Sequence, residues 1–301
     1  MANAPSVSIE NISDTALWVA TYRAMESERP DAIFRDPYAR RLAGSRGQAI
    51  VDLMKHGREM AWAMVVRTAV LDEMILEVVN RRGAQLVLNL AAGLDTRPWR
   101  LDQLPASLGW IDVDLPPILD YKAETLKDET PVCRYVAVPT DLTNDEARRD
   151  LFARVGAEGG EVLVLTEGLL IYLTPEQVSG LARDLYAQPA IRWWLMDLIN
   201  PQLMQWVQKK WGSTVQKGNA PFQFAPADGT GFFTPLGWRE VAFRSTADEA
   251  RRLNREMKGA WLWRLIGAFY SAQRKAEIKR MSILALLERQ SVEPAPSPSS
   301  A

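Results

Sequence analysis

The chain has 301 residues, 47% of them hydrophobic and 24% charged, with 36 Lys and Arg against 37 Asp and Glu for a net charge of −1. That apolar fraction supplies a sizeable core and excludes a mainly disordered chain, and the balanced charge gives no global positive field to draw the protein to nucleic acid or an anionic membrane. One cysteine, Cys133, excludes an intramolecular disulfide framework, and one histidine, His56, excludes multi-histidine metal centres, so no metal is expected.

The first residues, MANAPSVSIEN, lack the basic and then apolar order of a secretory signal. No apolar run approaches the roughly 18 residues of a membrane span. A soluble, cytoplasmic protein without a membrane partner is therefore expected. Residues 1–82 read as a helical cap: Asp14 and Thr15 open a helix that Pro30 breaks, and Arg58 to Val79 places Met60, Met64, Val65, Leu71, Met74, Ile75 and Val78 near a 3.6-residue period, stopped at Arg82 and Gly83. The pattern then changes to short apolar runs alternating with helices over 83–292. The runs are Leu86 to Leu90, Trp110 to Asp114, Val132 to Val138, Glu161 to Leu165 and Ile191 to Leu198. This alternation predicts an α/β fold, a mostly parallel sheet with helices on both faces and the strands' carboxyl ends along one edge. Residues 201–234 show no clear period but hold Trp206, Trp211, Phe222, Phe224, Phe232 and Phe233, which predicts a lid over a substrate. Gly237 to Phe243 and Met281 to Leu287 read as late strands, with Ala247 to Ile278 mostly helical between them, and 293–301 as a disordered tail.

Four signals carry chemistry. In NLAAGLDTRPWR, from Asn89 to Arg100, the first strand feeds a turn, Ala91 to Gly93, in which Ala92 and Gly93 allow close approach of a ligand. A dinucleotide site wants G-x-G-x-x-G; one glycine favours a phosphate-poor nucleoside over NAD or FAD. Asp112 and Asp114 end the second strand, Asp114 lying 21 residues beyond Gly93, where one carboxylate can accept from ribose hydroxyls while the other caps the helix at Pro116. Asp141 after the third strand can accept from an adenine amine with Leu142 against the ring, or cap the next helix. Glu167, followed by Gly168 and an apolar run to Leu173, must be paired or face a ligand.

Together the segments DTALWVATYRAMESERPDAIFRDPYARRLAG, NLAAGLDTRPWRL, WIDVDLPPILDYK and TEGLLIYL, in order from Asp14 to Leu198, resemble the leucine carboxyl methyltransferase family, and more narrowly its bacterial branch of polyketide-tailoring O-methyltransferases of secondary metabolism. The resemblance implies a class I methyltransferase (Rossmann-like) seven-stranded fold, S-adenosyl-L-methionine as cofactor and S-adenosyl-L-homocysteine as product. It puts the ribose on Asp114, the adenine on Asp141 and Leu142, the methionyl part near Glu167 and its carboxylate on Arg67, with Arg23 as a second basic contact. The family often carries glycine at the position of Ala91.

Methyl transfer from a sulfonium is an in-line displacement, so alignment supplies most of the catalysis, roughly 7–11 kcal/mol. A carboxylate acceptor needs no base, whereas a phenol does. The candidates for a base are Glu167, Tyr172 and His56, and this scarcity favours carboxyl methylation of a small acid, aromatic or polyketide-like. Tyr22, Tyr172, Trp206, Trp211, Phe222, Phe224 and Phe233 are candidates to stack it, as are the rings of Trp261 and Trp263, and Arg35, Arg40, Arg41 and Arg46 to orient its acid. Methylation of a phenol or of a protein's terminal carboxylate, and a non-catalytic nucleoside-binding protein, are the alternatives.

Overall fold

The computed structural model describes residues 13–53, 61–216, 221–257 and 259–290. Three helices come first: α1 (Ser13–Ser27), α2 (Ala39–Leu53) and α3 (Ala61–Arg82). The strands come next, β1 (Leu86–Leu90), β2 (Gly109–Asp114), β3 (Arg134–Pro139), β4 (Val162–Thr166), β5 (Ile191–Ile199), β6 (Trp238–Ser245) and β7 (Ser282–Arg289). Between them lie α4 (Arg97–Arg100), α5 (Pro116–Thr125), α6 (Asp145–Ala157), α7 (Pro175–Tyr186), α8 (Pro201–Gln216), α9 (Thr246–Arg252), α10 (Ala260–Ala268) and α11 (Ala272–Lys279).

The seven strands form one sheet in the order β3-β2-β1-β4-β5-β7-β6. β1 to β5 pair in parallel, and β7 runs antiparallel between β5 and β6. Every residue of β1 and β4 is buried, because strands covered on both faces need apolar side chains on both. One face packs Leu88, Leu90, Val164 and Met196 on Phe152, Leu181 and Leu185 of α6 and α7. The other packs Val87, Trp110, Leu163 and Leu195 on Val70, Met74, Ile75 and Val78 of α3. Ala20 and Leu42 of the cap join Leu94, Trp99 and Ile118 in a smaller cluster, so the cap leans on the loop after β1. The strand order reverses between β1 and β4, where a doubly wound sheet opens a crevice for a ligand.

Two expectations are corrected here. Residues 201–234 are not uniformly irregular: the first half is α8, and a 3₁₀ segment runs from Gly229 to Leu236. Phe224 and Phe233 belong to the core, edge-on to Phe232 and, for Phe233, to Trp194 as well, so neither ring is free to stack a substrate.

Candidate functional site

The turn after β1 is strapped to β2. Ala91 and Gly93 both have positive φ, 54° and 51°. The Ala92 N–H donates to the Val113 carbonyl at 3.1 Å, and the Gly93 N–H to Asp114 Oδ2 at 2.7 Å. A Cβ on Gly93 would stand 3.2 Å from that of Ala16 in α1, so glycine serves both the backbone angle and the approach. Ala91 holds the left-handed conformation at a cost of about 1–2 kcal/mol.

The two aspartates of β2 do different things. Asp112 is fully buried: Oδ2 lies 2.5 Å from Lys122 Nζ and accepts from Tyr135 Oη, while Oδ1 accepts from Trp110 Nε1 and Asn89 Nδ2. Asp114 is half-buried; among the described residues it accepts, besides Gly93, only the Leu115 N–H, at 2.7 Å, which leaves each oxygen further acceptor capacity. Burial pushes its carboxyl above the usual aspartate value, against the two backbone N–H bonds. Neither residue caps α5, whose N-cap is Leu115 with no side-chain bond; that corrects the expected division of labour. Asp141 is likewise no cap. It is exposed and accepts from the N–H and hydroxyl of Thr143, while Asn144 caps α6 through the N–H groups of Glu146 and Ala147. Leu142 packs half-buried on the core.

From the cap to β5 a continuous chain of ion pairs runs along the carboxyl edge. Arg23 Nε binds Asp36 at 2.8 Å, and its Nη2 donates to the Leu94 carbonyl at 2.6 Å. Asp72 of α3 takes Arg97 Nε at 2.7 Å and Arg100 Nη1 at 2.6 Å. Arg97 Nη1 bridges Asp95 at 2.6 Å and Glu167 at 2.8 Å. Arg67 continues the chain to Glu167 at 2.9 Å and Asp197 of β5 at 3.3 Å. Gly168, at φ 64°, donates its N–H to Asp197 Oδ1 at 2.6 Å, and a Cβ there would come within 3.1 Å of Arg67 Nη1. Burial raises the Glu167 carboxyl, but Arg97 and Arg67 outweigh it and hold it below the usual glutamate value. Asp95 is held down in the same way, against burial, by Arg97, Lys122 and Arg100.

Of the residues that sequence reasoning named, Asp114, Gly93, Ala91, Glu167 and Arg67 thus meet at one edge. Arg23 does not offer a free fork, since Asp36 and the Leu94 carbonyl occupy it. Asp72, Asp95, Arg97 and Asp197 were missed; the readable signal was a carboxylate inside the apolar runs of α3 and β5, which must be paired.

A family model described as leucine carboxyl methyltransferase matches residues 16–186. The chain belongs to the leucine carboxyl methyltransferase family. An inferred S-adenosyl-L-methionine-dependent methyltransferase of Frankia alni is 31% identical over 244 residues, 76% of this chain and 83% of the relative. One of Streptomyces coelicolor is 35% identical over 190 residues, 58% of this chain and 65% of the relative, so the match spans just under two thirds of that protein's length. A crystal structure of an inferred methyltransferase from Thermobifida fusca superposes with a TM-score of 0.58 at 13% identity, over 95% of this chain and 97% of the other. That likeness establishes the fold, the class I methyltransferase sheet. The family is one of S-adenosyl-L-methionine-dependent methyltransferases, and its cofactor can be tested against the site.

The residues fit it. Along the ion-pair chain five carboxylates, Asp36, Asp72, Asp95, Glu167 and Asp197, face four guanidiniums, Arg23, Arg67, Arg97 and Arg100. That chain therefore carries one more carboxylate than guanidinium and favours a ligand of net positive charge, such as a sulfonium and an ammonium against one carboxylate. Arg67 Nε is buried and close to Glu167 but out of line for a hydrogen bond, so a donor remains unspent. Asp114 supplies acceptor capacity beside the Cβ-free backbone of Gly93, as a ribose requires.

The aromatic candidates separate. Tyr22 is fully buried against Trp18, its phenol pushed up by burial to about 12; it is part of the cap's packing and not a stacking surface. Tyr172 and Phe222 are half-buried with ring centroids 5.5 Å apart at 39°. Trp206 of α8 is exposed. The side chains of Trp211 and Trp263, and all of His56, lie outside the described residues. Arg40 and Arg41 pair with Glu28 and Glu129 on the surface, and Arg35 donates to the Ser27 carbonyl, which makes that charge run a solvated face.

Proposed function

We propose that the protein transfers a methyl group from S-adenosyl-L-methionine to a carboxylate oxygen of a small apolar or aromatic acid, giving its methyl ester. The cofactor, when bound, supplies an electrophilic methyl on a positively charged sulfur. Asp114 and the turn through Gly93 hold the nucleoside, Asp141 and Leu142 stand at the adenine end, and Arg67 with Glu167 holds the amino-acid end. Tyr172 and Phe222 offer the acceptor an aromatic wall.

The observation that carries the choice of acceptor is the lack of a poised base among the described residues of the site. Glu167 is locked as an anion by two guanidiniums, and burial pushes the Tyr172 phenol above its ordinary value, against the pull of Arg67. Neither is placed to draw a proton near neutrality, and a carboxylate acceptor has none to lose. The test is transfer of a labelled methyl group to matched panels of aromatic acids, aliphatic acids and phenols. Alkali-labile label on the acids is expected. Label confined to phenols, as a base-stable ether, overturns the reading.

A further inference from the structure

Thr166 of β4 is in register with Met196 of β5, so Glu167 and Asp197 leave the sheet side by side at its carboxyl edge. Gly168 follows Glu167 at φ 64° and turns its N–H onto Asp197 Oδ1 at 2.6 Å. Arg67 reaches both carboxylates from α3. The ion-pair chain ends here, for among the described residues no second cation pairs with Asp197.

The five carboxylates of that chain are not equally satisfied. Asp36 has Arg23 and Arg100, and Asp72 has Arg97 and Arg100. Asp95 accepts from the backbone N–H and Nη1 of Arg97 and from Asn89. Glu167 has Arg97 and Arg67. Asp197 has Arg67 alone, at 3.3 Å, farther than any of the other four stands from its nearest guanidinium. Side-chain exposure rises in the same order, from 0% at Asp36 through 9%, 10% and 15% to 23% at Asp197. The surplus anion of the chain therefore resides at its open end.

Arg67 presents the complementary half. Its Nη1 makes that loose contact, and its buried Nε has no hydrogen bond. A guanidinium with donors to spare beside a carboxylate with acceptors to spare is the mirror image of an α-amino acid, whose own carboxylate and ammonium stand one carbon apart. We propose that Asp197 is the anionic half of a zwitterion clamp, taking the α-ammonium of the cofactor's methionyl end while Arg67 takes the carboxylate. The clamp deepens the reading in which S-adenosyl-L-methionine fills the cradle, and it rests on that reading. Glu167, already held by two guanidiniums, is left to aim Arg67. With the ribose on Asp114 and the amino acid on the clamp, the ligand is fixed at both ends, which sets where the sulfur between them lies.

Calorimetry of the full chain with three thioethers tests this: S-adenosyl-L-homocysteine, its deaminated analogue that keeps the carboxylate, and methylthioadenosine, which carries neither charge. The parent is expected to bind S-adenosyl-L-homocysteine about ten- to a hundredfold more tightly than the deaminated analogue, the scale of a hydrogen bond between charged groups. Asp197→Asn retains an oxygen for the Gly168 N–H. It is expected to shrink that ratio to less than about threefold while its affinity for methylthioadenosine stays that of the parent. Its unfolding temperature is expected to match the parent's. Equal affinity of the parent for the first two ligands overturns the proposal without any variant. An Asp197→Asn protein that loses affinity for both alike also overturns it, by making Asp197 a support for Arg67. So does one that binds S-adenosyl-L-homocysteine more tightly, since Asp197 would then be a competitor for Arg67. A parent that takes up none of the three overturns the cofactor reading itself, and the clamp with it.

Discussion

At the ends of β1, β2 and β4 the charged side chains are buried and tied to one another across the sheet, from Arg23 in the cap to Asp197 in β5. On the other side of the same edge, α8 and α10 expose Trp206, Trp261 and Phe269. The first region is fixed before any ligand arrives, because each carboxylate of the ion-pair chain touches a guanidinium and the turn after β1 is strapped to β2. The second is apolar and lightly held, which suits contacts that form with a partner. Buried ion pairs are thus concentrated at the edge proposed to hold the cofactor, and exposed apolar rings lie beside it.

The sharpest way to break this contrast is to strike the locked region at its most buried pair. Lys122→Ala leaves the Asp112 carboxylate without its cation, and a loss of about 3–5 kcal/mol in unfolding free energy by urea titration is expected. Asp114→Ala is expected to weaken S-adenosyl-L-methionine binding in calorimetry by about ten- to a hundredfold, the scale of hydrogen bonds to a charged acceptor, with little change in stability. Gly168→Ala places a Cβ at φ 64° beside Arg67, and a destabilisation of about 1–2 kcal/mol is expected, with weaker cofactor binding.

Acid titration sharpens the comparison further. Glu167, Asp36 and Asp95 have folded-state values below their ordinary ones: burial raises each, but neighbouring guanidiniums outweigh it. Their contribution to stability is fully present above the ordinary carboxylate range and is lost as pH falls from that range through the lowered values. Asp114 has the opposite sign. Its value is raised by burial, so the anion that accepts from ribose is lost at a higher pH than for an ordinary aspartate. Cofactor affinity should therefore decline on acidification before the fold does, and calorimetry alongside denaturation across the acid range will show the two apart. The smallest effect belongs to the open side: Trp261→Ser and Phe269→Ser are each expected to change unfolding free energy by no more than about 0.5 kcal/mol.

Much of the fold was legible because fully buried parallel strands write themselves as unbroken apolar runs; LVLNL and EVLVL needed no more than that. α8 was not, since its helical period runs straight into a stretch of glycines, prolines and aromatics. In the site, spacing along the chain found Gly93 and Asp114, which face each other across adjacent strands. It did not find Arg97, whose partners stand 25 residues before it and 70 after it, nor the pairing of Arg67 with Asp197 over 130 residues. Nor did it tell Asp112 from Asp114, because the difference lies in Lys122, one α5 helix away and buried under Trp99 and Tyr135.

The surplus of one carboxylate in the ion-pair chain has a kinetic meaning. A sulfonium donor enters with one more positive charge than the thioether it becomes, so donation of its methyl converts a matched guest into a mismatched one. The same anionic excess that draws the donor in then favours letting the spent nucleoside go. A surplus of one negative charge along that chain can thus bias turnover forward without any moving part.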